Sequence, residues 1–160
     1  DALLRGIAPD GGLYMPCAWP ALSPEASRST DYKTIAADPV APLIGDALPA
    51  GPLERALNRL TAGFDHPAVT PLVELEPGLF VLELFHGPTA AFKDLAMQLV
   101  AALTDEALAA SGERLTILTA TSGDTGAAAV RAFAGARSVD LVVLHPLGRV
   151  SPVQRRRWRP

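Results

Sequence analysis

From about residue 70 onward, three short apolar runs alternate with two stretches of helical periodicity, and this alternation leaves the chain few possible folds. Leu79 to Phe85 (LFVLELF), Leu115 to Ala120 (LTILTA) and Leu141 to His145 (LVVLH) have strand length and few polar interruptions. Between them, Asp94 to Ala110 sets Leu95, Leu99, Leu103 and Ala107 on one side of a helix that Ser111-Gly112 should stop. Gly126 to Ala134 reads as a short Ala-rich helix. Continuous apolar strands separated by helices predict an α/β unit, a parallel sheet covered by helices on both faces. Ligands of such a sheet sit beyond the carboxyl ends of its strands. The loops after the first two strands, around residues 86–94 and 120–126, therefore hold the expected site.

Residues 1 to about 70 read differently. Pro and Gly recur among short helical stretches, which predicts a small, mostly helical layer. Asp10-Gly11-Gly12 reads as a turn before a short extended piece, Leu13-Tyr14-Met15. Ser23-Pro24-Glu25 resembles a helix start, and Pro52 to Leu60 repeats Leu53, Leu57 and Leu60 at helical spacing.

Apolar residues make up 49% of the 160 and charged ones 19%, a balance that argues for a packed core and against disorder. No apolar run is long enough to cross a bilayer and no secretory signal opens the chain, so neither a membrane nor export is expected. Cys17 is the single cysteine, which excludes an internal disulfide, disfavours a zinc cluster and fits a cytoplasmic location. His66 and His145 flank prolines without metal-spaced partners, so no metal is expected. A net charge of −3 gives no overall attraction to nucleic acid. The arginines of the tail, Arg155-Arg156-Arg157-Trp158-Arg159-Pro160, come with one aromatic residue and no nucleic-acid motif.

Of the 14 basic residues only two, Lys33 and Lys93, are lysines. Arginine stays protonated, whereas a lysine amine can attack a carbonyl, so a lysine among arginines singles out a position where an amine is useful. Lys33 reads as a surface charge. Lys93 falls where a helix follows a tight Gly87-Pro88-Thr89 turn, near the positive end of the helix dipole, which works against a charged amine. The competing reading is a solvated lysine paired with Asp94 or Glu83. The second loop, Ala120-Thr121-Ser122-Gly123-Asp124-Thr125-Gly126, combines open backbone with hydroxyl donors at a helix start, a pattern suited to a carboxylate or phosphate. It lacks the Walker and dinucleotide spacings, and a plain Gly-rich connection fits it equally well. His86 reads as a packed histidine beside a strand end, and Cys17, Trp19 and Trp158 as packing or surface residues.

Phe85-His86-Gly87-Pro88-Thr89-Ala90-Ala91-Phe92-Lys93-Asp94 and Ala120-Thr121-Ser122-Gly123-Asp124-Thr125-Gly126-Ala127-Ala128 resemble the two signature segments of the threonine synthase family. Asp10-Gly11-Gly12-Leu13-Tyr14-Met15-Pro16 resembles its N-terminal segment, and Gly148-Arg149-Val150-Ser151-Pro152-Val153-Gln154 the stretch after its next strand. The resemblance implies a fold type II pyridoxal 5'-phosphate enzyme that converts O-phospho-L-homoserine and water to L-threonine and phosphate. It places the cofactor on Lys93 as an aldimine, with Phe92 and Asp124 beside it. Thr121, Ser122, Gly123 and Thr125 would cradle the substrate carboxylate, and Arg149 and Ser151 its phosphate, although an exposed arginine and a helix-capping serine describe that last pair equally well.

By the same resemblance residues 1–70 are an N-terminal helical segment, 71–154 part of the cofactor domain, and 155–160 a tail that leaves the family pattern, as a frameshift or premature end of the gene would produce. The loop for the cofactor phosphate and the group facing the pyridine nitrogen are expected C-terminal to these residues, so the site is expected to be incomplete. A related β/γ-lyase on the same fold, and a non-catalytic remnant or binding domain, remain alternative readings.

Overall fold

The computed structural model describes residues 2–48 and 51–157; Trp158 and the end of the tail lie outside the described residues. A one-turn helix, α1 (Ala2–Arg5), opens the chain. The Asp10-Gly11-Gly12 turn forms as expected: the Gly12 N–H donates to Asp10 Oδ1 at 2.9 Å, and Gly11 takes φ 84°. Ser23 accepts from the Ala26 N–H at 3.1 Å, but the helix it starts is a single 3₁₀ turn, Ala26–Arg28.

Two longer helices complete this region. In α2 (Tyr32–Ile44) Asp31 caps the first turn, accepting from the Thr34 N–H at 2.9 Å and from its hydroxyl at 2.8 Å. The Thr34 backbone bond, aided by the hydroxyl, holds the Asp31 carboxyl below its usual range. The cap is therefore complete above the ordinary carboxylate range and lost as pH falls through the lowered value. Circular dichroism should show less acid-induced loss of helix in Asp31→Ala than in wild type over that window. The second helix, α3 (Pro52–Ala62), follows its predicted face: Ala56, Leu57 and Leu60 are buried and Leu53 half-buried.

The first apolar run departs from expectation. It forms β2 (Leu79–Leu82), which pairs antiparallel with β1 (Leu72–Glu76) and takes no part in a parallel sheet. Pro77-Gly78 is the cause. Proline presets the first turn position, Gly78 takes φ 82° at the second, and a two-residue link can only return the chain antiparallel. The Gly78 N–H also donates to Glu74 Oε1 at 3.1 Å.

The parallel sheet consists of β3 (Leu115–Ala120) and β4 (Val139–Leu144), in register from Leu115 opposite Val139 to Ala120 opposite Leu144. Helices α4 (Lys93–Ser111) and α5 (Asp124–Phe133) cover one of its faces. There Ala101 and Leu108 of α4 meet Ala132 and Phe133 of α5 and Val139 of β4, with Leu115, Ile117 and Leu141 packed against them. Covering helices were expected on both faces, but Leu118, Val142 and Leu144 on the other face remain exposed, at 66%, 43% and 52%. Apolar strands show that a face can be buried without showing what buries it, and none of the described elements packs there. On the opposite side of α4, Ala102 and Leu103 join Ala56 of α3, so α4 is the shared spine of the molecule. A short helix, α6 (Pro152–Arg157), ends the described chain.

Candidate active site

Chain direction brings the chemically loaded segments to one end of the molecule. Residues 112–114 alone link α4 to β3, and α4 packs back along that strand; residues 121–123 alone link β3 to α5. Both helices therefore begin at the end of the sheet where β3 and β4 finish. The 19 residues of α4 span about 28 Å at 1.5 Å each, and the 6 of β3 about 20 Å at 3.3 Å each, so the start of α4 overhangs the strand end.

Lys93 is the first residue of α4 and is half-buried. Its Nζ lies 4.4 Å from the centroid of the Phe92 ring, a cation–π contact with an exposed aromatic. The competing ion pairs are absent: among the described residues no carboxylate lies within 4.0 Å of the amine. Glu83 is engaged by His86 Nε2 at 2.7 Å. Asp94 is fully buried, and both its oxygens bind Thr89, Oδ2 accepting the N–H and Oδ1 the hydroxyl, each at 2.8 Å.

His86 anchors the loop entry, as a packed histidine should. Its ring lies 5.0 Å from that of His66 and 4.7 Å from that of Phe85, and its carbonyl accepts the Asp65 N–H at 3.0 Å. The part of His66 in this anchor carries no sequence signal.

In the second loop the Thr121 N–H donates to the Leu144 carbonyl at 2.9 Å, which extends the ladder one residue past β3. Thr121 Oγ1 accepts the Gly123 N–H at 3.2 Å. Gly123 caps α5 and Asp124 opens it. Ser122 and Asp124 are exposed, Thr125 is half-buried, and the side chains of all three make no hydrogen bond among the described residues. This loop offers spare hydroxyls and the unpaired amides of a helix start.

The third segment reaches it through Gln154. Ser151 and Gln154 form a reciprocal cap of α6: Ser151 Oγ accepts the Gln154 N–H at 3.2 Å and Gln154 Oε1 accepts the Ser151 N–H at 3.3 Å. The Gln154 Nε2 amide then lies 3.7 Å from where a Cβ on Gly123 would stand. Gln154 was not among the expected site residues, although the Ser-x-x-Gln spacing signals this cap. Ser151 is thus a capping serine, and the exposed Arg149 side chain makes no ion pair among the described residues. No hydrogen bond or ion pair joins the Lys93 loop to the second loop among the described residues.

A groove of about 880 Å³ is lined by Val130, Phe133, Leu141 and Arg155, among others. It contains neither Lys93 nor any residue of the second loop, and its walls are mostly apolar, so we do not assign the chemistry to it.

Residues 1–60 match the family model for the threonine synthase N terminus. A threonine synthase of Pseudomonas aeruginosa is 43% identical over 159 residues, covering 98% of this chain and 34% of the relative. Among solved structures, the pyridoxal-phosphate-bound threonine synthase of Brucella melitensis superposes with a TM-score of 0.90 at 51% identity, covering 98% of this chain and 34% of that one. Nearly the whole chain is similar to threonine synthases. It spans about a third of the length of these relatives. A mouse protein named threonine synthase-like 2 is also similar, at 40% identity over 157 residues, covering 96% of this chain and 32% of the relative. No helix among the described residues is long and apolar enough to cross a membrane.

Proposed function

We propose that this chain provides the lysine and the carboxylate-binding loop of a pyridoxal-phosphate-dependent threonine synthase acting on O-phospho-L-homoserine. The observation that carries this reading is the Lys93 amine, which lies free of any carboxylate among the described residues at the end of the sheet where α5 also begins. That donor chemistry fits an aldehyde cofactor: a lysine amine condenses with an aldehyde, and the neighbouring Phe92 ring is a flat apolar surface. Pyridoxal phosphate, when bound, supplies that aldehyde and a ring that takes up electrons from the substrate.

The remaining work falls to the protein. Lys93 Nζ would hold the cofactor and then, as a free amine, move protons at Cα and Cβ of the substrate. The spare hydroxyls and amides of Thr121, Ser122, Gly123 and Thr125 would orient the substrate carboxylate, with Asp124 beside the cofactor. Arg149 would meet the phosphate, since a guanidinium suits a dianion. Ser151 can join it by donating its hydroxyl proton, since a phosphate dianion only accepts, while its oxygen caps α6.

The test is to mix the protein with pyridoxal phosphate, trap the adduct with borohydride and map the modified peptide. Modification should concentrate on Lys93 and the absorbance band should vanish in Lys93→Ala. Lys33, which donates to Asn58 Oδ1 at 3.1 Å, is the internal control. Equal modification of the two lysines would sink the reading. The second reading is a related β/γ-lyase on the same fold. Incubation with O-phosphohomoserine separates the two: threonine for the synthase, 2-oxobutanoate alone for the lyase.

A further inference from the structure

Asp94 is the most buried charged side chain at the site, at 0% exposure, and it makes no ion pair among the described residues. A carboxylate is retained in such a place only if its oxygens are satisfied. Here one residue satisfies both, since Thr89 gives its N–H to Oδ2 and its hydroxyl to Oδ1. The backbone between them is closed by two further bonds, the Ala90 N–H to the Gly87 carbonyl and the Asp94 N–H to the Ala91 carbonyl, each at 3.0 Å. Inside this closed loop Ala90 takes φ 55°, a left-handed conformation that a residue with a Cβ avoids unless its surroundings impose it. Gly87 packs on Asp94 with no room for a methyl group. All of this lies within residues 87–94, and the lysine sits inside that stretch, directly before Asp94.

We infer that Asp94 is a positioning residue for Lys93: by clasping Thr89 it imposes the left-handed turn at Ala90 and so sets the point from which the amine projects. The inference rests on Lys93 being the cofactor lysine. The aspartate accepts from both partners. Asparagine could keep both contacts by accepting the N–H and donating to the rotated hydroxyl, so the variant that opens the clasp is Asp94→Ala, which removes both acceptors. Thr89→Val removes the hydroxyl alone, and Thr89→Ser keeps both donors.

The experiment measures two quantities on the full chain, the ratio of borohydride-trapped pyridoxal phosphate on Lys93 to that on Lys33, and amide hydrogen exchange at residues 89–94 against residues 103–108. In Asp94→Ala and Thr89→Val the labelling ratio should fall about tenfold or more, as for the loss of at least one bond to a charged group, and the 89–94 amides should exchange about tenfold faster or more while 103–108 hold. Thr89→Ser should restore both. Folded variants that label Lys93 at the wild-type ratio would overturn the proposal. Global unfolding of Thr89→Val would also overturn it, by assigning the clasp to the core rather than to the site. If wild type forms no adduct on Lys93, it is the cofactor reading that fails, and the exchange comparison still decides whether the clasp orders the loop.

Discussion

Gly87→Ala is expected to be among the most damaging single changes in the chain. A methyl group there would stand 2.6 Å from both Cβ and Oδ2 of Asp94 and 2.9 Å from its Cγ. Such a contact is tolerable only when the neighbour can move. Asp94 is fully buried and held by two bonds to Thr89, so it cannot. If the clasp holds, Gly87 must shift and strain the bond from its carbonyl to the Ala90 N–H, at an overpacking cost of about 1–3 kcal/mol. If the clasp opens, each lost bond to the buried carboxylate costs about 1.5–3 kcal/mol. Either route takes roughly 3 kcal/mol from a stability that for a domain of this kind is about 5–15 kcal/mol. Gly123→Ala is the matched control, because its nearest neighbour, Gln154 Nε2, stands at an ordinary 3.7 Å. Urea unfolding should show a clearly lower midpoint for the first variant and little change for the second; equal midpoints would mean that the clasp yields freely.

That contrast marks what a sequence can and cannot reveal about this site. The place of Lys93 was legible because a rare lysine follows a Gly-Pro turn at the start of a strongly periodic helix. The role of Asp94 was not. A carboxylate beside a lysine reads as its ion-pair partner, yet consecutive residues on a helix point to different sides. Lys93 projects over Phe92 while Asp94 turns back onto Thr89, a contact that depends on a left-handed residue no propensity would place at Ala90. Gln154 was legible in principle, as the fourth residue of a Ser-x-x-Gln cap, but its approach to Gly123 depends on how α6 returns to the sheet.

The fold divides along similar lines. Strand β3 and helices α3 and α4 follow the expected boundaries closely because their periodicity is unbroken and Gly63 and Gly112 stand just past the ends of the two helices. Helix α2 was hidden by Pro39 and Pro42, which sit inside it and normally argue against a helix. The partner of β2 was hidden for another reason: an apolar run encodes burial, and only the Pro77-Gly78 link reveals that its neighbour is the strand just before it. The open face of β3 and β4 shows the same limit, since Leu118 and Leu144 look like core residues in sequence and are exposed in the structure.

Leu108→Ala should separate the scaffold from the site. Leu108 is 2% exposed and sits among Ala101, Ala132, Phe133 and Val139, where α4, α5 and the sheet meet. Two of these neighbours are alanines and Val139 is held by the sheet, so they can collapse only partly into the space left behind. A loss of about 2–5 kcal/mol is expected, the range for a buried leucine replaced by alanine. Urea unfolding should show a lower midpoint with an unchanged slope, the signature of lost packing without a change in the surface exposed on unfolding. Lys93 lies fifteen residues earlier on the same helix, about 22 Å away along its axis. In the folded fraction the ratio of label on Lys93 to Lys33 should therefore stay at the wild-type value, where the Thr89 and Asp94 variants shift it. A large drop in that ratio with Leu108→Ala would mean that the packing of α4 on α5, and not the local clasp, places the amine.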